Sequence, residues 1–356
     1  MFPRARAVRP LLVGALSLVM AAGFLADIGA GTASAASKRA VSGYTIGFSN
    51  PQGTQPVLDA FQAVLTKAGA REGITVKSLN AALTVGKQVS DIQQFINEKV
   101  KAIVVFPLAG PPLVPVLTAA RKAGIAVLGY NAVQTATATP KKIYPYSANI
   151  NQNIVHDGAK LASAFVDKKL KGKGNVLGVD IAAPVPSLHA FMASEAKDVT
   201  AGHPGVKWLE TVSDVTDNIA GAAGPVADAL TKYHNKVAAV MAYFDGAAIG
   251  AAHALKAAGV KAVVVGQQGN ETGITAIKNG ELTATIDLEP YKEGLIALTM
   301  VKDLVEGKRV PTIVTAPVTL ITKRNLKSYE PWGKALKEIA KGKLKPPAKV
   351  TADPKA

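Results

Sequence analysis

The sequence predicts an α/β protein of two lobes, each a parallel sheet flanked by helices, and three observations carry this. From Tyr44 onward, short apolar runs alternate with amphipathic stretches, the pattern of βαβ units around a parallel sheet. A second series of the same kind begins after the Gly/Lys-rich turn Lys171-Gly172-Lys173-Gly174. The phrase Lys122-Ala123-Gly124-Ile125 is echoed by Lys256-Ala257-Ala258-Gly259-Val260, each time a helix end passing through glycine into a buried strand.

Taken in order, Tyr44 to Phe48 reads as the first strand. Pro56 opens a helix whose Val57, Phe61, Val64, Leu65 and Ala68 share one face, and Gly69 stops it. A helix from Gly86 to Lys99 turns Val89, Ile92 and Ile96 inward, followed by a strand at Ala102 to Phe106, a helix at Leu113 to Ala123 and a strand at Ile125 to Leu128. The second series reads as a strand at Asn175 to Val179, a helix near Ser187 to Val199 and a strand at Lys207 to Val212. A helix to Tyr233 and strands at Val237 to Tyr243 and Ala262 to Val265 complete it.

The 356 residues begin with Arg4, Arg6 and Arg9, an apolar run from Leu11 to Leu25, and small residues ending Ala33-Ser34-Ala35. That is the layout of a secretory signal peptide over residues 1–35, and the run is shorter than the roughly 20 residues a membrane span needs. The mature protein is expected outside the cytoplasm. Export makes disulfides chemically possible, yet there is no cysteine, so stability must come from a large core and no N-terminal cysteine can carry a lipid. The formal charge of +16 raises nucleic-acid binding as a hypothesis, but its distribution argues against it. Much of the excess lies from Lys323 to Ala356, and residues 331–356 read as a solvated basic Lys/Pro-rich tail, or one drawn loosely to anionic envelope.

Catalytic chemistry is hard to assemble from these residues. None of the five histidines stands four residues from another, as a zinc helix requires, and no Gly-x-Ser-x-Gly elbow, Walker loop or Gly-x-Gly-x-x-Gly turn occurs. The chain is not expected to be an enzyme, and it calls for no metal and no cofactor. His189 is either a helix-surface residue or a donor to ligand. Asp245 is either a first-turn residue satisfying backbone N–H groups or a ligand contact.

In open parallel sheets the ligand-facing loops lie beyond the carboxyl ends of the strands. Those positions are Ser49 to Thr54, Phe106 to Gly110, Tyr130 to Val133, Asp180 to Ser187, Phe244 to Gly246 and Gln267 to Glu271. With two lobes facing one another, both sets converge on a single cleft.

The segments Tyr44-Thr-Ile-Gly-Phe-Ser-Asn50, Ile103-Val-Val-Phe-Pro107, Gly124-Ile-Ala-Val-Leu-Gly-Tyr-Asn131 and Met241-Ala-Tyr-Phe-Asp-Gly-Ala-Ala-Ile-Gly-Ala251 resemble the ribose-type family of periplasmic sugar-binding proteins. Val263-Val-Val-Gly266 and Lys278-Asn-Gly-Glu-Leu-Thr-Ala-Thr-Ile286 fit it in the same order, so the likeness runs from about Tyr44 to Asn325. The resemblance implies a two-lobed type I periplasmic-binding fold with a three-strand hinge, crossing near Ala148 to Ile150, Asp287 to Glu289 and Ala316 to Val318. The N-terminal lobe would hold residues 36–149 and 289–316, and the C-terminal lobe residues 150–288 and 317–330. It further implies a substrate-binding subunit of an ABC importer, a monomer that captures a small neutral solute by hinge closure and hands it to a membrane permease. A sensory protein that presents ligand to a membrane receptor would have the same sequence.

Compared with that family, Asn131-Ala132 stands where pentose binders usually present Asp-Arg. Phe106 and Phe244 replace asparagines, no arginine lies near Phe191, Gln268 replaces an aspartate and about Leu288 a glutamine. The expected ligand contacts are Ser49, Asn50, Gln52, Phe106, Tyr130, Asn131, Phe191, Phe244, Asp245, Gln268 and Leu288. For Phe106, Phe191 and Phe244, core packing is the alternative to stacking on ligand. A cleft that has lost its fixed negative charge should hold ribose poorly and favour a neutral, less polar sugar-like or non-sugar compound.

Overall fold

The computed structural model describes residues 43–134 and 139–351, so the expected signal peptide lies outside the described residues. The first sheet is laid down by β1 (Tyr44–Asn50), α1 (Pro56–Ala70), β2 (Ile74–Asn80), α2 (Val85–Asn97), β3 (Ala102–Val105), α3 (Gly110–Lys122), β4 (Ala126–Tyr130), the short α4 (Pro140–Ile143) and β5 (Ala148–Asn151). The chain then passes to the second sheet through α5 (Ala159–Leu170), β6 (Lys173–Ile181), α6 (Pro186–Ala201), β7 (Gly205–Asp214), α7 (Ile219–Lys232) and β8 (Ala239–Ala242). There it continues with α8 (Asp245–Ala257), β9 (Val263–Gln268), α9 (Glu271–Asn279) and β10 (Ala284–Asp287). It returns for α10 (Pro290–Val305) and β11 (Ile313–Thr315), crosses again to β12 (Thr319–Thr322), and ends in α11 (Trp332–Ala340).

Strand order is β11-β5-β4-β3-β1-β2 in the first sheet and β12-β10-β9-β8-β6-β7 in the second. All neighbours are parallel except β12, which runs antiparallel to β10 along a sheet edge. The two orders match position for position, the pairing anticipated from the echoed helix ends. Both lobes bury both faces of their central strands, which explains why β3 (Ala-Ile-Val-Val) and β8 (Ala-Val-Met-Ala) are uninterrupted apolar runs. In the first lobe Phe61 of α1 stacks on Tyr130 at 4.2 Å between centroids and tilts against Phe48 at 5.5 Å.

Two features depart from the sequence reading. Strand β2 goes unread there, because its Ile-Thr-Val-Lys-Ser-Leu-Asn at a sheet edge is only half buried and lacks an apolar run. The basic tail is not a free extension through the described residues. Helix α11 buries Trp332, Ala335 and Ile339, Arg71 Nη1 donates to the Ala340 carbonyl at 3.2 Å, and Thr299 Oγ1 donates to the Pro347 carbonyl at 2.9 Å. An i, i+3, i+7 apolar spacing lay hidden among the lysines, whose charged ends stay in water while that stripe packs.

Candidate functional site

The carboxyl ends of the two sheets face each other across a narrow cavity of ≈ 50 Å³. Every polar residue on its wall stands just beyond a strand end: Gln52 and Gln55 after β1, Gln152 after β5, Asp217 after β7, Tyr243 after β8, and Gln267 and Gln268 at the end of β9. Apolar cover comes from Pro51, Val57, Leu58, Leu83, Phe106, Ile181, Val185, Leu188 and Leu288.

On the first lobe the loops are held from behind. Asn50 Oδ1 accepts from the Gln52 N–H at 3.0 Å, fixing the turn that presents Gln52 and Gln55. Gln88 donates to Ser49 Oγ at 3.1 Å and to the Phe106 carbonyl at 2.8 Å, and accepts from the Leu108 N–H at 2.9 Å. One amide thus ties the ends of β1 and β3 together and aims Phe106, whose ring meets Tyr130 edge-on at 5.2 Å. Gln152 is gripped in turn. Asn131 donates to its Oε1 at 2.5 Å, and its Nε2 donates to the Tyr130 hydroxyl at 2.6 Å and lies 3.3 Å from Glu293 Oε2. The Tyr130 hydroxyl in turn donates to Glu293 Oε2 at 2.7 Å. Burial pushes the Glu293 carboxyl up to about 8, against the lowering effect of those bonds.

On the second lobe, buried Asp214 accepts the N–H groups of Thr216, Asp217 and Asn218 at 3.0, 2.9 and 3.1 Å. That turn holds Asp217 at a positive φ of 54° and turns it to the cavity. The Tyr243 hydroxyl lies 2.7 Å from Asp217 Oδ1 and 3.1 Å from Asp214 Oδ2. Desolvation raises the Asp217 carboxyl and the Asp214 charge adds to it, while bonds from Tyr243, Gln55 and Gln52 hold it down. Burial and the two carboxylates push Tyr243 far above its ordinary value, so it remains a donor. Behind Gln268, Gly269 has φ 72°, and a Cβ there would come 2.6 Å from Asp287, so only glycine fits.

Besides Gln52, Gln55 bridges the lobes at the cleft. Gln55 donates to the Asp217 carbonyl at 3.3 Å and accepts from Gln268 Nε2 at 3.0 Å. Beside it, Gln267 Nε2 is buried with no partner. An unpaired buried donor costs about 1–3 kcal/mol, and this one belongs to a side chain on the cavity wall.

Of the expected contacts, the structure brings Gln52, Phe106, Gln268 and Leu288 to the cavity. Ser49, Asn50, Tyr130 and Asn131 stand one layer back and hold the lining residues in place. Phe191 is fully buried in the core beneath α6, and Phe244 precedes α8 with its ring 4.7 Å from Tyr243. Neither lines the cavity: Phe191 is buried on the core face of α6, and the Phe244 ring packs against Tyr243 and over Gly246. Asp245 accepts from the Asn270 N–H at 3.0 Å and from Thr285 Oγ1 at 2.5 Å, bracing the Gln268 loop from below. His189 is engaged with Asp180 at 2.7 Å. Asp217, Tyr243, Gln55 and Gln152 escaped the sequence reading. Asp217 also corrects the expectation of a cleft without a carboxylate.

Phe244→Leu should therefore cost about 1 kcal/mol of folding stability while ligand affinity stays within twofold, checked by melting temperature and calorimetry on one preparation.

Among the described residues no group of three or more His, Asp or Glu is placed to hold a metal ion, and no helix is long and apolar enough to cross a membrane.

A family model described as a periplasmic binding protein domain matches residues 46–309. The ribose import binding protein of Bacillus subtilis is 26% identical over 285 residues, covering 79% of this chain and 88% of that protein. A xylitol-binding protein of Mycolicibacterium smegmatis is 30% identical over 246 residues, 68% of this chain and 67% of that protein. An ABC sugar transporter subunit from Rhodobacter sphaeroides superposes with a TM-score of 0.69 at 31% identity, covering 80% of this chain and 99% of that one. The Caulobacter myo-inositol binding protein shares the fold, with a TM-score of 0.71 at 22% identity over 82% of this chain and 96% of that one.

Proposed function

From the premise that this chain belongs to the periplasmic binding protein domain family, we infer that its cleft captures a small neutral polyhydroxy compound, a sugar or sugar alcohol. It is a non-enzymatic, extracytoplasmic substrate-binding protein of the ABC importer kind. The finer reading is a monomer with a cleaved signal peptide over residues 1–35, no affinity for nucleic acid, and lobes that close over the ligand and are then read by a permease.

The unpartnered Gln267 amide carries the choice of ligand. A donor left unpaired at a cavity wall calls for an acceptor from the ligand, and the neighbouring Gln52, Gln268 and Asp217 add acceptors and donors of the kind hydroxyl groups need. The relatives fit this class, being named for ribose and xylitol. The apolar share of the wall supports a second reading, a ligand with fewer hydroxyls, such as a deoxy sugar or a non-sugar ring.

Calorimetry with xylitol, ribose, myo-inositol and a deoxyhexose separates the two readings. Micromolar binding of a polyol, with ribose weaker, supports the first. Binding of the deoxy compound alone favours the second, and silence across the panel sinks both. Gln267→Leu should weaken the binding polyol about tenfold while leaving the ligand-free protein as stable or more so, since it removes a buried unpaired donor. A fall in stability with unchanged affinity would place Gln267 in the core instead.

A further inference from the structure

Three passages between lobes suffice to hinge them, and the chain makes a fourth. After β12 on the second sheet it runs through a short turn at Leu326–Ser328 to α11, which lies on α1 of the first lobe. At its start α11 touches both sides. Trp332 is 5% exposed and its Nε1 donates to Asp287 Oδ1 at 3.2 Å, while a Cβ on Gly333 would sit 3.2 Å from Glu271 Oε1 on the second lobe.

Asp287 ends β10, at the second passage between the lobes. The same carboxylate oxygen accepts from the Glu289 N–H at 3.0 Å, closing a turn in which Glu289 takes φ 46°. Between them Leu288 lines the cavity and donates its N–H to the Gln268 carbonyl at 3.0 Å. The indole thus grips the hinge directly behind two cleft residues, in the arrangement where Gln55 already joins the lobes.

We propose that α11 is a strap that favours the closed arrangement, with Trp332 as the positioning residue that couples it to the cleft through Asp287. Opening would swing the second lobe from the first about the other three passages. Because α11 is fixed to α1, its contacts with Glu271 and Asp287 would have to part. Losing them lowers the closed population, and the apparent affinity falls by the same factor.

The test uses full-length protein and the Trp332→Phe variant, which keeps the apolar contact and loses the donor, with the Asp287→Ala variant, which removes the acceptor, as its counterpart. X-ray scattering of the ligand-free forms should show the variants larger than wild type, and xylitol should bring all three to one radius. Xylitol affinity should fall about three- to tenfold, with melting temperatures reduced by only a few degrees. In a Trp208→Phe background Trp332 is the sole indole, and its emission should shift on adding xylitol. Identical ligand-free radii in wild type and variants would overturn the strap. That comparison needs no ligand, so it decides this proposal even if xylitol binds none of the forms and the reading of the cleft fails.

Discussion

Asp217→Ala is expected to weaken the polyol that binds best by about 100-fold, roughly 2.7 kcal/mol, with little change in melting temperature. Asp217 is the only acidic side chain on the cavity wall among the described residues, and a carboxylate that accepts two ligand hydroxyls forms the stronger, charge-assisted class of hydrogen bond. Its removal should not unfold the loop, since Asp214 rather than Asp217 collects the backbone N–H groups of the turn. Stability is offset further by relief of the Asp214–Asp217 repulsion. Tyr243→Phe should act in the same direction and more weakly, because the hydroxyl orients the carboxylate. An Asp217→Ala affinity within threefold of wild type would remove Asp217 from the ligand site.

The second large effect is on stability against pH. Burial raises three carboxyls outside the cavity lining: Asp245 to about 7, Asp287 to about 7 and Glu293 to about 8. Each folded value lies above the unfolded one, so the native state holds protons that the unfolded chain has released. The added stability is therefore full below the unfolded values and is lost as pH rises through 7 to 8. Each group contributes up to about 1.4 kcal/mol per pH unit within its window, and mutual repulsion among them makes the total less than three separate sums. Between pH 5.5 and 8.5 stability should fall on the order of 4 kcal/mol, or about 6 °C in melting temperature. Glu293→Gln, which mimics the protonated acid, should flatten the profile and melt above wild type at pH 8.5. A flat or rising wild-type profile would contradict the buried-carboxyl account.

The two-lobed architecture was legible because buried parallel strands are written as apolar runs, and the echoed glycine turns revealed the pairing of lobes. The site was legible only where a strand end could be read. Gln52, Phe106, Gln268 and Leu288 follow strands or crossings that were recognised. Asp217 lies past β7, whose loop was not followed beyond Val212 in the sequence, and Tyr243 was taken as the last residue of its strand although β8 ends at Ala242. Phe191 and Phe244 misled for a different reason. Phe191 is turned into the core by its place on α6 and Phe244 by its contact with Tyr243, and which way such a ring turns depends on packing that sequence spacing does not encode.

The strand orders have a further consequence, for the sequence of events during folding. Each sheet takes an edge strand from near the end of the chain, β11 for the first and β12 for the second. Helix α1, among the first elements made, is covered by α10 and α11, among the last, so closely that a Cβ on Gly294 would meet Val64 at 2.6 Å. A chain emerging N-terminus first therefore cannot complete either lobe until nearly all of it is available, and contacts of such long range close slowly. Through most of its synthesis the polypeptide therefore stays unlocked, and both lobes wait on strands and helices from the last quarter of the chain.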